Sequence, residues 1–391
     1  MKLASSTVAV LALTAALAAQ AQAQAQMQGV SKTEIVIGTI QDLSGPIAAF
    51  GKQARSGMQL RVDEINEQGG LAGRKLKLLV EDAGYDPKRA VLAAQKLVNQ
   101  DKIFLMAGHV GTAHNNAAMP VQFEKNVINF LPITAAREMY EPFHKLKYSF
   151  AATYYDQVRT VLPKMVKDRG AKKVCTLYQD DEFGLEVLRG AEAALKTMNM
   201  DLTEKTSYKR GATDFSSQVA RMKAGGCEVV VLGTIIRETI GAIGESRKTG
   251  FNPTFLGTSA SYTDLIHKLG GKPMDGLYAT MTAQHPYLDE ASQPLRFWAN
   301  KYKTKFSEDP TVFSVYGYLI IDTFARAATK AGANLNTETF IKAMDTMNIE
   351  PDMFGSPATS FSATKRLGND LSRLSQIVDG RWKVVSDYVK P

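Results

Sequence analysis

Cysteine is nearly absent, since Cys175 and Cys227 are the only two in 391 residues. That scarcity excludes a disulfide-built scaffold, and two thiols so far apart do not make a metal site. Blocks of like charge are also missing, although the formal excess is +8, so a nucleic-acid footprint is not expected. No apolar run is long enough to span a bilayer. The chain further lacks a phosphate-binding loop, a glycine fingerprint after the first strand, a serine elbow and a zinc-protease helix motif. Five histidines remain, His109, His114, His144, His267 and His285. The first two are five apart and so do not share a helix face, and each of the five is expected as a capping or surface residue. A triad assembled by the fold is not excluded by spacing. Nothing in the chain points to one, and no catalytic residue, metal or cofactor is expected.

What is present is ordinary globular material. The length fits two or three domains, and apolar residues at 45% with charged residues at 22% match a soluble protein with sizeable cores. Lys2, the apolar stretch 8–19 and the Ala-x-Ala spacings at 21–25 read as a secretory signal over residues 1–25. No cysteine lies near its end to carry a lipid, so a free, exported protein is expected. For Cys175 and Cys227, each in a strand-like run, two readings stay open: a disulfide in an oxidising compartment, or buried thiols on neighbouring strands.

Short apolar runs bounded by Gly, Asp, Pro or Asn at 35–40, 77–80, 103–107 and 127–131 predict buried parallel strands. Between them, Met58, Val62 and Ile65, and then Val91, Ala94, Leu97 and Val98, recur at helical spacing. A second series of strands is expected at 148–151, 174–178, 202–208, 229–233 and 254–257, with helices between them. Helices are expected again at 290–306, 312–331 and 337–347, and Asp379-Gly380 predicts a type I′ hairpin. Alternation of this kind specifies α/β architecture with two doubly wound sheets. No Pro/Gly/Ser-rich linker separates them, so several short crossings are expected.

Open α/β sheets bind ligands at the carboxyl ends of their strands. Three such turns stand out. Ser44 is placed as an N-cap ahead of Pro46, Gly108–Thr112 offers backbone N–H groups and a hydroxyl at a helix start, and Pro132–Ala135 brings Thr134 beside small residues. All three also read as plain caps.

The run 37–91 carries Ser44-Gly45-Pro46, Phe50-Gly51, Ile65-Asn66 with Gly69-Gly70 and Gly73, and Asp86-Pro87. It closely resembles the start of the leucine/isoleucine/valine-binding family of periplasmic ABC-transporter receptors. The likeness continues through Gly108-His109, Asp180–Gly184, Asp214–Ser216 and the late tyrosine-rich helix, and so covers the whole mature chain. The resemblance implies a type I periplasmic-binding-protein fold: two Rossmann-like lobes joined by three crossovers. The lobe boundaries expected from it are 32–150 plus 282–354, and 151–281 plus 355–391. It also implies a periplasmic location, an inner-membrane ABC permease with its ATPase subunits as partner, and a monomer.

Carried over by position, Thr112 with Val110 and Gly111 corresponds to the family's clamp on the ligand carboxylate, and Phe50 stands at an aromatic wall. The family's second hydroxyl clamp falls on Ala135, with Ile133 and Thr134 beside it and Thr134 placed to substitute. The acidic residue that meets a ligand ammonium falls on Ser259, and a neutral serine does not balance a buried ammonium. Ile235 takes a position where the family commonly presents tyrosine, while Phe183 and Tyr318 keep aromatic character. Of Tyr316 and Tyr318, two apart, one at most faces the cleft, and for Tyr154 and Tyr155 cleft lining and core packing are both open. The expected ligand is a small hydrophobic or aromatic monocarboxylate. It remains open whether Asp181, Glu182 or Glu238 restores the missing negative charge, or whether Arg159 or Arg237 meets a second carboxylate. The alternatives are a true Leu/Ile/Val receptor and a sensing module for a membrane signalling partner.

Overall fold

A computed structural model describes residues 28–391, and the expected signal segment lies outside them. Two sheets organise the chain. The first has the order β2-β1-β3-β4-β5, from β1 (Glu34–Gln41), β2 (Lys75–Asp82), β3 (Leu105–Ala107), β4 (Ile128–Phe130) and β5 (Lys147–Tyr148), all parallel. The second is built from β6 (Val174–Gln179), β7 (Glu204–Tyr208), β8 (Val229–Gly233), β9 (Thr254–Gly257) and β10 (Tyr278–Met281). These five run parallel in the order β10-β9-β8-β6-β7.

After a small pair, β11 (Asn348–Ile349) with β12 (Thr359–Ser360), the hairpin β13 (Arg373–Val378) and β14 (Arg381–Val384) adds antiparallel to the free edge of β10. Asp379 and Gly380 at its tip have φ of 53° and 66°, both positive as a type I′ turn requires. Continuous apolar strands such as Val229–Leu232 are fully buried because helices cover both faces.

The two main sheets differ from the sequence expectation at two strands. The strand at Lys147–Tyr148 closes the first sheet through Asn129 and Phe130 and does not open the second. The strand Tyr278–Met281 was not foreseen, although Leu277–Met281 is an apolar run set off by Gly276. Three late helices, Gln293–Phe306, Val312–Ala331 and Thr337–Met344, return to the first lobe, where Val312–Ala331 packs along Ala48–Glu67. The chain thus passes between the sheets after Tyr148, after Met281 and ahead of Arg373. Phe361 still packs edge-on against Tyr148, so contact with the first lobe persists beyond β12.

Cys175 and Cys227 are joined in a disulfide, with Cα atoms 5.8 Å apart, which decides between the two open readings. The bond ties the start of β6 to the residue pair ahead of β8 inside the second lobe's core. The histidine expectation is corrected: His109, His114, His267 and His285 are all buried, and only His144 is partly exposed.

Candidate functional site

The segments that follow nine strands, β1 to β6 and β8 to β10, converge on one cavity between the lobes. Its unfilled space, open mouth included, is about 620 Å³. Each wall follows from a local turn. After β1, the Asp42 carboxylate accepts hydrogen bonds from the N–H groups of Ser44, Gly45 and Ile47 and so serves as the cap of this turn. The expected N-cap, Ser44, instead donates its hydroxyl to Asp82 at 2.5 Å. The turn aims Ile47 and Phe50 into the cleft, where Phe50 stacks on Phe313 with ring centroids 3.6 Å apart.

After β3 the chain turns through Gly111 at φ 94° into the helix Thr112–Glu124. A Cβ at Gly111 would lie 2.4 Å from the His114 ring, so only glycine fits. His114 stacks on Tyr85, at 4.4 Å, and Tyr85 forms another wall. Burial lowers the His114 pKa to about 4, keeping the imidazole neutral beside the cleft.

Thr112 stands in the first turn of that helix, where backbone N–H groups have no partner within the helix. Its hydroxyl meets that of Thr134 at 2.6 Å, and both are buried. The Tyr154 ring lines the same cavity, its backbone N–H donating to the Ala135 carbonyl, and burial raises the pKa of its phenol. Two hydroxyls and a helix N-terminus therefore converge at one end of the cavity, an arrangement suited to an anion.

The second lobe supplies the opposite wall. Asp181 caps the helix Glu182–Lys196 through the N–H groups of Phe183 and Gly184, which sets the Phe183 ring against the cavity. A Cβ at Gly184 would strike the Gln179 carbonyl at 1.9 Å. Ser259, after β9, is held by the buried amide of Gln157: its hydroxyl accepts from Nε2 at 2.9 Å and its N–H donates to Oε1 at 2.9 Å. The serine hydroxyl keeps its own proton free to donate into the cavity.

Phe50, Val110, Gly111, Thr112, Ile133, Thr134, Ala135, Phe183, Ile235 and Ser259 all line this cavity. Tyr318 does not. Its hydroxyl donates to Glu64 at 2.8 Å and its ring packs on Trp298, whereas Tyr316 lines the cleft. Two residues on a helix turn the side chain by about 200°, so Tyr316 shares a face with Phe313 and Tyr318 points away. Tyr154 lines the cleft as well, and Phe150 and Thr282 were missed. Thr282 follows the unforeseen strand β10, and finding that strand would have found it.

No lining residue carries a charged side chain. Asp181 is engaged by Arg210 at 2.7 Å, Glu238 lies beside Arg237 at 3.7 Å and Arg159 is paired with Asp156 at 2.8 Å, all outside the lining. Among the described residues no group of three or more His, Cys, Asp or Glu is placed to hold a metal, and no helix is long and apolar enough to cross a membrane.

A family model described as periplasmic binding protein matches residues 34–381. The chain is 27% identical, over 77% of its own length and 80% of the relative's, to a protein of Pseudomonas aeruginosa named amino acid binding protein. Two solved structures share the fold. A fatty acid ABC transporter substrate-binding protein from Thermomonospora curvata superposes with a TM-score of 0.84 at 21% identity, covering 94% of this chain and 95% of that one. A branched chain amino acid ABC transporter protein from Thermus thermophilus with bound valine gives 0.83 at 17% identity, covering 93% and 98%.

Proposed function

The chain belongs to the periplasmic binding protein family, and from that premise we propose that it is an extracytoplasmic receptor that delivers a small hydrophobic or aromatic monocarboxylate to an ABC permease and its ATPase subunits. It carries out no chemistry. The observation that carries this reading is the polarity of the cavity: one end holds the paired Thr112 and Thr134 hydroxyls, and the remaining walls are aromatic and aliphatic without a charged group. An α-amino acid would bring an ammonium into that neutral wall with only the Ser259 hydroxyl to meet it, at a cost of several kcal/mol.

In this reading the ligand docks its carboxylate on the first lobe, and Phe183, Ile235 and Ser259 close over the apolar part. Ligand draws the lobes together by its differential contacts with the closed form, which is the form the permease reads. A second reading, a branched-chain amino-acid receptor, draws support from relatives named for Leu/Ile/Val binding, such as one from Escherichia coli that is 26% identical over 63% of this chain.

The experiment that separates them is thermal unfolding of the mature protein against leucine, valine, phenylalanine, benzoate, cinnamate, 2-oxoisocaproate and succinate. A ligand at a hundred times its dissociation constant stabilises by about 2.7 kcal/mol. Stabilisation by aryl or oxo acids alone supports the monocarboxylate reading. Stabilisation by leucine or valine replaces it with the amino-acid reading.

A further inference from the structure

Behind the cleft, toward the segments that cross between the lobes, lies a second and larger cavity of about 1,410 Å³, its mouth included. The two share Phe150, Ala151, Thr282 and Tyr316 as lining residues, so these four form the partition between them. Tyr316 is the largest of the four and is 5% exposed. Its ring stands between Phe313 and Phe150, with centroids 5.6 Å away on either side, and its hydroxyl is 3.4 Å from that of Thr282. On the far side, Leu131, Leu319, Ile320, Phe354 and Phe361 give the second cavity an apolar wall next to the partition. The remainder of that cavity is polar: Asp322, Arg326, Glu350 and Asp352 line it, with Asp322 paired to Arg326 inside it and to Arg61 outside.

We propose that Tyr316 is the length stop of the ligand cavity: it sets how many carbons a ligand carries beyond its carboxylate, by closing the cleft against a second, partly apolar chamber that would otherwise accept a longer chain. The inference rests on the reading of the cleft as a site for a small apolar acid. Tyr316 and Phe150 line the cleft together with Thr112 and Thr134 and also line the second cavity, so a tail that reaches them from a carboxylate held at the two threonines meets the partition.

The test is titration of two parallel homologous series, straight-chain monocarboxylates from butanoate to dodecanoate and straight-chain 2-amino acids from norvaline to 2-aminodecanoate. The proteins compared are the wild type, Tyr316→Ala, Phe150→Ala and Tyr316→Phe. In a binding series, affinity should rise about fourfold per buried methylene until the stop is met and then fall. Tyr316→Ala should extend that rise by several methylenes, Phe150→Ala should extend it from the other side of the partition should the first variant fail to fold, and Tyr316→Phe should keep the wild-type limit. The same limit in wild type and both alanine variants overturns the proposal. Binding confined to the amino-acid series, with the limit still shifted, overturns the carboxylate reading and upholds the length stop. No binding in either series by any of the proteins overturns both.

Discussion

The guanidinium of Arg137, in the turn that follows β4, forks onto the Glu186 carboxylate of the opposite lobe, with Nε at 3.0 and 3.2 Å and Nη2 at 2.8 Å. Glu186 is 1% exposed, and the Arg137 guanidinium also covers the Tyr155 ring at 4.0 Å. A charge buried this deeply depends on its partner, so the pair favours the arrangement in which the lobes are closed.

Arg137→Ala is therefore expected to weaken closure. Glu186 would keep Arg189, at 3.5 Å, and the backbone N–H of residue 137, at 3.3 Å. Because Arg137 is partly exposed, the loss is put at about 1–3 kcal/mol, below that of a fully buried pair. Ligand affinity should fall roughly tenfold or more, and small-angle scattering at a fixed ligand concentration should show a larger radius of gyration. Unchanged affinity and scattering would remove this pair from closure.

Thr112→Val tests the anion end of the cleft. Its hydroxyl is buried against Thr134 at 2.6 Å, so the variant deletes a donor without opening a large void. A buried anion deprived of one donor loses about 1–3 kcal/mol, and the loss should be similar for every carboxylate tried. Calorimetric titration of a short aryl acid and a short alkyl acid reads it out; a loss restricted to one of them would contradict a shared carboxylate clamp.

Much of this site was legible because strand ends and turn chemistry leave marks in sequence. The Gly108–Thr112 and Pro132–Ala135 turns carry small residues and hydroxyls directly after apolar runs, and both lie at the cavity. The choice between Tyr316 and Tyr318 was not legible, since it depends on which face of Val312–Ala331 meets the neighbouring helix. Ser44 looked like a cap because its local sequence fits one, but Asp42 reached the same N–H groups first. His114 and His109 looked exposed because histidine usually is. Their burial is a tertiary fact: His114 fills the space left by Gly111 and lies under Tyr85.

Those buried histidines predict the acid limb of the stability curve. Burial lowers His114 and His285 to about 4, with Arg210, Asp181 and Asp42 as the charged groups around His114. An unfolded histidine titrates near 6.5, so between about pH 6.5 and pH 4 the unfolded chain binds protons that the native protein refuses. Stability should fall as pH drops through that window, by on the order of 3 kcal/mol for each such group. Glu238 and Asp352, raised by burial, act in the opposite direction. The His114 contribution is thus read from a difference: urea unfolding of His114→Gln should show a shallower loss than wild type between neutral pH and about pH 5. Parallel curves would assign the acid limb to other groups.

Ser259→Glu addresses what the cavity recognises. The Gln157 amide holds Ser259 at both its hydroxyl and its N–H, and is itself fixed by Thr280 at 2.7 Å and by the Ala152 carbonyl at 2.8 Å. The backbone at this position is therefore anchored independently of the side chain, and a glutamate there should deliver a carboxylate into the neutral wall. A unit charge about 4 Å from an ammonium is worth up to about 4 kcal/mol at the dielectric of a partly buried site, before desolvation. A gain of ten- to a hundredfold in leucine and valine affinity is the expected outcome, on the order of 1–3 kcal/mol. Affinity for simple monocarboxylates should fall in the same variant through like-charge repulsion. Falling monocarboxylate affinity without any gain for leucine would mean that the new charge reaches the ligand but that ammonium recognition needs a further group. Unchanged affinity for both classes would place the glutamate outside the ligand's reach and take Ser259 out of the recognition argument.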